Sequence, residues 1–400
     1  SDVYKRQMKN KMIIYQVFTR LFGNDKTACI PHGNKTENGC GHFADFTQKA
    51  LTEIQKLGAT HIWYTGVIAH ATQTDYTSYG IPSDHPAIVK GKAGSPYAIK
   101  DYYDVDPDLA TKPEKRMKEF QNLIYRTHDA GLKVIIDFVP NHVARQYQSA
   151  SRPEGVKDLG EEDDQNLSFS PQNNFYYIPG HPFQPGFDLQ GSAPVPYEEC
   201  PAKATGNDNF SPSPGRNDWY ETIKLNYGID YCNGGGRHFD PIPSTWFKMR
   251  DILLFWAGKG IDGFRCDMAE MVPVEFWEWA IPQIKCHYPS LVFIAEVYNP
   301  NEYRNYIYKG GFDYLYDKVG LYDTLRGVVC GYASARQITG CWQSVDDIKD
   351  HMLNFLENHD EQRLASDFFA GNTEKGRPAL LVSACMGRNP MMIYFGQELG

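Results

Sequence analysis

The sequence predicts a (β/α)8 barrel, and three observations point there. Eight short runs of apolar and β-branched residues suit strands. Helical patterns lie between most of them, and such crossovers make neighbouring strands parallel. No glycine-rich phosphate fingerprint follows the first strand, which counts against an open dinucleotide-binding sheet.

The first strand is read in MIIYQVF (12–18). A helix is expected over about 43–57, with Phe46, Ala50, Ile54 and Leu57 on one stripe and Gly58 just past its end. THIWYTGV (60–67) is the second strand. Pro113 opens the next helix, Met117, Phe120, Leu123 and Ile124 form its apolar face, and Gly131 closes it. Strand three is KVIIDFV (133–139). Helical pattern returns over about 243–258, followed by strand four in GIDGFRCD (260–267), a helix near 274–287 and strand five in LVFIAEV (291–297). FDYLYD (312–317), MLNFLEN (352–358) and MMIYFGQE (391–398) are strands six to eight, with a helix near 377–386 before the last.

Two connections are too long for ordinary loops, about 66–112 and about 143–242. Both follow a strand and precede a helix, so both lie on the barrel face where active sites are built. The expected organisation is a first barrel part over 1–142, an inserted subdomain over 143–242, and the rest of the barrel over 243–400. The chain stops at Gly400 directly after strand eight, so a barrel truncated before its closing helix is expected. Residues 1–7 read as a non-native leader, with Met8 as the natural start.

A length of 400 residues with 42% hydrophobic content can bury a large core. The net charge of −9 argues against nucleic acid or an anionic membrane as partner. No apolar run is long enough for a membrane span, and the N-terminus lacks the core of a secretory signal. Nine cysteines without CxxC spacing read as free thiols of a cytoplasmic protein; a trimmed signal peptide would make it secreted instead.

The strand ends carry the chemistry. Strand three ends in DFVPNH, giving Asp137, Asn141 and His142. Strand four ends in Arg265 and Asp267, strand five in Glu296, and strand seven in ENHD with Asn358, His359 and Asp360. Side chains alternate along a strand, so Arg265 and Asp267 face the barrel interior while Phe264 and Cys266 pack on the helices. Any one Asp at a strand end is commonly a helix cap. Burying this many ionisable groups together is costly unless they have a task. Two carboxylates in unlike settings are what glycosidic cleavage needs, one ionised to attack and one protonated to release the leaving oxygen. Arg265 is expected to keep Asp267 ionised, and less polar surroundings with a like charge nearby to raise Glu296.

With these residues assembled, the chain resembles the α-amylase family, glycoside hydrolase family 13. Its motifs appear in order as DFVPNH (137–142), GFRCDMAEMVP (263–273), EVYN (296–299) and ENHD (357–360), between IIYQVFTRLF near the start and IYFGQELG at the end. The resemblance implies a retaining hydrolase of α-1,4-glucosidic bonds in starch-like α-glucans or maltodextrins. Asp267 is implied as nucleophile, Glu296 as general acid/base and Asp360 as the third carboxylate, which holds sugar hydroxyls and the distorted ring. Arg265 would orient Asp267, His142 and His359 would bind the reacting sugar, and Tyr97 would stack beneath it. Asp137 and Asn141 would support the site. The family adds a β-sandwich after the barrel, which this chain would lack.

Three departures from the pattern bear on specificity. After the nucleophile many α-amylases have Lys-His, and this chain has Glu270 and Met271. In TIKLNYG (222–228), Lys224 stands where a calcium-binding Asp would sit, and an ammonium repels calcium. Asn141 matches one ligand of that site, yet no required cofactor is expected. IKLN is similar to the MPKLN form of the neopullulanase and cyclomaltodextrinase group, so that group or a glucan-transferring relative is the alternative reading. KAGSPY lacks the acid that favours exo-action in the oligo-1,6-glucosidase branch, which points to α-1,4 bonds and to internal or flexible cleavage. A non-catalytic binding subunit of the same family would usually have lost a catalytic carboxylate; here all three are present.

Overall fold

Residues 11–189 and 193–400 are described by the computed structural model of the chain. The expected leader at 1–7 and the start at Met8 lie outside the described residues. Eight strands form one sheet: β1 (Ile13–Phe18), β2 (His61–Thr65), β3 (Lys133–Phe138), β4 (Gly263–Cys266), β5 (Val292–Ala295), β6 (Tyr314–Tyr316), β7 (Met352–Leu353) and β8 (Met391–Tyr394). From β1 to β7 the strands pair in sequence order, β8 pairs with β1, and every pair is parallel. Asn354 bridges to Met391 and closes the ring between β7 and β8.

Period-two alternation sorts the side chains into two cores. Ile14, Trp63, Ile135, Ile294, Tyr316, Leu353 and Met392 pack together as the barrel filling. Val17, Ile62, Tyr64, Val134, Ile136, Phe138, Phe264, Cys266 and Phe293 face outward under the helices. The outward placement of Phe264 and Cys266, both fully buried, is the one the alternation predicts.

Apart from a single turn at Lys35–Asn38, the helices in order are α1 (Gln48–Lys56), α2 (Arg116–Asp129), α3 (Ser244–Gly258), α4 (Val274–His287), α5 (Asp323–Cys330), α6 (Gln337–Ser344) and α7 (Thr373–Cys385). The helix expected over 43–57 is broken. Phe43–Asp45 is a 3₁₀ turn, Thr47 caps α1 by accepting from Ala50 N–H, and Arg126 takes the carbonyls of Phe43 and Phe46 at 2.6 and 3.2 Å. Those carbonyls are no longer free for a continuous helix. The helix expected from Pro113 likewise begins as a 3₁₀ turn, because Arg116 binds the Pro113 carbonyl and Glu119 accepts the N–H groups of Thr111 and Lys112. Strand seven is shorter than expected over 352–358: Phe355 and Leu356 are buried against Tyr316 and Tyr322 instead of extending the ladder. The helices α5 and α6, between β6 and β7, carry no counterpart in the sequence reading.

Both long connections fold over the C-terminal rim. The first contains the antiparallel pair Ile68–His70 with Ile99–Val105. The second contains His142–Ala144 with Thr222–Lys224, Tyr177–Ile178 with Ala202–Lys203, and Ile229–Asp230 with Gly236–Arg237. Lys90 and Glu221 join the two connections by an ion pair of 2.9 Å. Among the described residues no helix is long and apolar enough to cross a membrane. All nine cysteines are free.

Candidate active site

Strand register builds the site. Arg265 sits opposite Asp137 on β3 and opposite Ile294 on β5. Two residues further along, Asp267 and Glu296 leave β4 and β5 on the same inner face. Backbone bonds hold both ends: Asp267 N–H donates to Phe138 O at 2.9 Å and Glu296 N–H to Cys266 O at 3.1 Å.

Arg265, only 1% exposed, lies beneath these carboxyls. Its Nη1 donates to Asp267 Oδ1 at 2.8 Å and lies 3.5 Å from Asp137 Oδ1. Its Nη2 lies 2.6 Å from Glu296 Oε1; the contact is ionic, without the alignment of a directed hydrogen bond. Nε donates to Tyr316 Oη at 3.2 Å. The rings of Trp63, Tyr97 and Tyr316 surround the guanidinium, with centroids 5.2, 5.5 and 5.4 Å away.

The carboxyls differ in their settings. Burial pushes Asp267 well above the usual carboxylate range, Arg265 opposes this, and Glu296 adds to it. The expectation that Arg265 keeps Asp267 ionised is therefore corrected: in the free site desolvation outweighs the guanidinium. The less polar setting expected for Glu296 is also corrected. Its Oε2 accepts from Met268 N–H at 2.8 Å, and its Oε1 accepts from Tyr298 Oη at 2.8 Å beside the Arg265 contact. Asp137 is a buried acceptor, taking Trp63 Nε1–H and Gly66 N–H at 3.1 Å each and Tyr97 Oη–H at 3.3 Å. Asp360 stands at the mouth with half its side chain exposed. Partial desolvation pushes it up to about 6, with Glu296, Glu361 and Asp137 adding and Arg265 opposing.

Two histidines flank the cleft. His359 Nδ1 accepts from Gln16 Nε2 at 2.9 Å, so Nε2 carries the proton and donates to Tyr97 Oη at 2.5 Å. Tyr97 passes the chain on to Asp137, and its ring stacks on His359 with centroids 5.3 Å apart. Burial, then the charge of Arg265, holds His359 well below the usual imidazole value, so the ring is neutral. Burial, then Lys224, lowers His142 to about 3. Its ring lies 5.2 Å from that of Trp219.

Asn141 turns away from the cleft. Its Nδ2 donates to Gly206 O at 2.7 Å, and its Oδ1 accepts from Lys224 Nζ at 2.8 Å. Lys224 is buried and also pairs with Asp208 at 2.5 Å. An ammonium thus stands between the oxygens that a calcium ion would need, and this donor set does not fit calcium.

Tyr97, His142, Trp219, Asp267, Glu296, Tyr298 and Asp360 line a cavity of about 330 Å³. A second groove of about 550 Å³ runs past Glu270, Met271 and Asn299. The structure thus gathers Asp137, His142, Arg265, Asp267, Glu296, His359, Asp360 and Tyr97 at one rim, and Asn141 behind it. Sequence reasoning missed Tyr298, Trp219 and Gln16. Tyr298 had a signal, since it lies two residues past Glu296 and shares its face; Trp219 lies in a stretch without periodicity.

Residues 16–199 match the family model described as "Alpha amylase, catalytic domain". The chain is 26% identical over 320 residues to Alpha-amylase 3 of Dictyoglomus thermophilum, covering 76% of this chain and 53% of that protein. It is 21% identical over 402 residues to Neopullulanase 2 of Thermoactinomyces vulgaris, covering 97% and 56%. The chain therefore spans about half the length of these relatives. In fold it is similar to the crystal structure of an alpha-amylase from Lactobacillus plantarum, with TM-score 0.61, 24% identity and coverage of 97% and 72%.

Proposed function

We propose that the chain, whose residues 16–199 match the catalytic-domain model of the α-amylase family, is a member of that family and a retaining glycoside hydrolase cutting α-1,4-glucosidic bonds in starch-like α-glucans or maltodextrins. The observation that carries this reading is the single Arg265 guanidinium in contact with both Asp267 and Glu296. It favours the close carboxyl spacing of about 5–5.5 Å used by retaining enzymes over the wider gap that leaves room for an attacking water.

In the first step Asp267 attacks the anomeric carbon while Glu296 protonates the glycosidic oxygen, and the aglycone departs. Arg265 and the positive charge growing at the anomeric carbon both favour the ionised form of Asp267. Glu296, now a carboxylate, takes a proton from water, whose oxygen displaces Asp267 and restores the α-configuration. Asp360, at the mouth, accepts hydrogen bonds from sugar hydroxyls. Neutral His359 and His142 bind the sugar without adding charge, and Tyr97 offers a ring face beside them.

Calcium has no part in this reading, since Lys224 supplies the positive charge beside Asn141. The same lysine favours a second reading, a cyclomaltodextrinase, neopullulanase or glucan-transferring activity on the same catalytic residues. Nine free thiols support a cytoplasmic site of action. Proton NMR of the first products from a malto-oligosaccharide should show the α-anomer; initial β-anomer would sink the mechanism. Product analysis on starch, pullulan and cyclodextrin separates the two readings.

A further inference from the structure

The loops after β4 and β5 are clasped to each other. Met268, directly after Asp267, has φ +42°, a left-handed conformation unusual for a residue with a side chain. That turn aims its N–H at Glu296 Oε2. Glu270, from the same loop, accepts Tyr298 N–H through Oε1 at 3.1 Å and Asn299 N–H through Oε2 at 3.0 Å. Each loop thus lends a carboxylate to the backbone of the other. From the clasped β5 loop, Tyr298 turns its hydroxyl back to donate to Glu296 Oε1 at 2.8 Å.

We propose that Tyr298 is a positioning residue for proton transfer by Glu296, and that Glu270 holds Tyr298 in place for that role. This rests on the assignment of Glu296 as general acid/base. A carboxylate offers about four lone-pair positions. On Oε1 they are taken by Tyr298 and the Arg265 contact, and on Oε2 one is taken by Met268. The remaining position, on Oε2, is the one left to carry the proton to the glycosidic oxygen. The terminal carboxyl torsion is soft, and the phenol is the side-chain donor that stops it turning. Glu270 stands where many family members carry a lysine. Its carboxylate is committed to two backbone N–H groups, so its task here is inward, toward the acid/base loop.

The test separates protonation from every other step. Fluoride leaves without proton assistance, so α-maltosyl fluoride bypasses Glu296 as acid, whereas amylose requires it. Tyr298→Phe should lower kcat/KM on amylose on the order of 10–100-fold, a share of the ~10²–10⁴ available from general acid catalysis. On α-maltosyl fluoride it should fall less than about threefold. Glu270→Gln, which presents an amide N–H to one of the two backbone donors, should show the same selectivity with a smaller fall. Equal falls on both substrates, or no fall on amylose, would overturn the proposal. Glu296→Gln is run in parallel and should lose amylose activity selectively. Selective loss there with none in Tyr298→Phe overturns this inference alone. Unchanged amylose activity in Glu296→Gln, or an inactive parent protein, overturns the proposed function and this inference with it.

Discussion

Asp267 receives one directed hydrogen bond, from Arg265, while Glu296 receives two and an ionic contact. The proposed nucleophile is therefore the less tethered of the pair, with its other oxygen making no hydrogen bond among the described residues. Asp267→Asn removes that nucleophile while keeping its size and its acceptor toward Arg265. We expect kcat on amylose to fall on the order of 10⁴-fold or more with little change in melting temperature. A fall below about tenfold would exclude Asp267 as the attacking group. The residues proposed to perform the chemistry were legible because they stand at strand ends, where alternation decides inside from outside. Tyr298, Trp219 and Glu270 act from loops, whose paths are set by contacts distant in sequence. Glu270 stood out only as a departure from pattern until its two backbone partners were placed.

At the scale of elements, the end of β6 carries a carboxyl outside the active site. Asp317 is buried, 4% exposed, and has no ion-pair partner among the described residues. Its Oδ1 accepts Leu321 N–H at 2.8 Å and so caps the π-helical turn Lys318–Tyr322. Burial pushes it up to about 6, against the lowering effect of that hydrogen bond. A pKa raised on folding contributes stability that is full below the unfolded value near 4 and lost as pH rises through about 6. Asp317→Asn keeps the cap and removes the titration. The variant should match the parent near pH 4, gain on it up to pH 6, and then exceed it by up to about 3 kcal/mol. Urea melts across that range would refute this if the difference were independent of pH. The long helices α3 and α4 were legible almost to the residue, since each is a long apolar-rich run with a proline directly before its first residue. The break before α1 was not, because it depends on Arg126, a residue of another helix.

Across the whole molecule, the second long connection is joined to the barrel by a charged group withdrawn from solvent. Lys224 links a strand of the second connection to Asn141, just after β3, and to Asp208. Dialysis against a strong chelator should leave both activity and melting temperature unchanged; loss of both, restored by calcium alone, would disprove the lysine's role. Lys224→Ala should cost about 1–3 kcal/mol, less than a fully buried pair because Asp208 is part-exposed. The fold class was legible from eight strands and their crossovers, whereas the path of residues 143–242, rich in Gly, Pro and Asn, follows no period that a sequence displays.

One feature of the barrel wall bears on how the site handles its substrate. β4 and β5 are paired through four registers, but β7 meets β6 through two and β8 through the single bridge at Asn354. Asp267 and Glu296 thus follow strands joined through four positions on the β3–β4–β5 side, and His359 and Asp360 follow a strand held only sparsely on both sides. On the proposed roles, the bond-making groups sit in the better-paired frame, while those that would grip the sugar follow the sparsely paired strand and have room to yield as the ring flattens toward the transition state. The barrel divides its labour between an anvil and a spring.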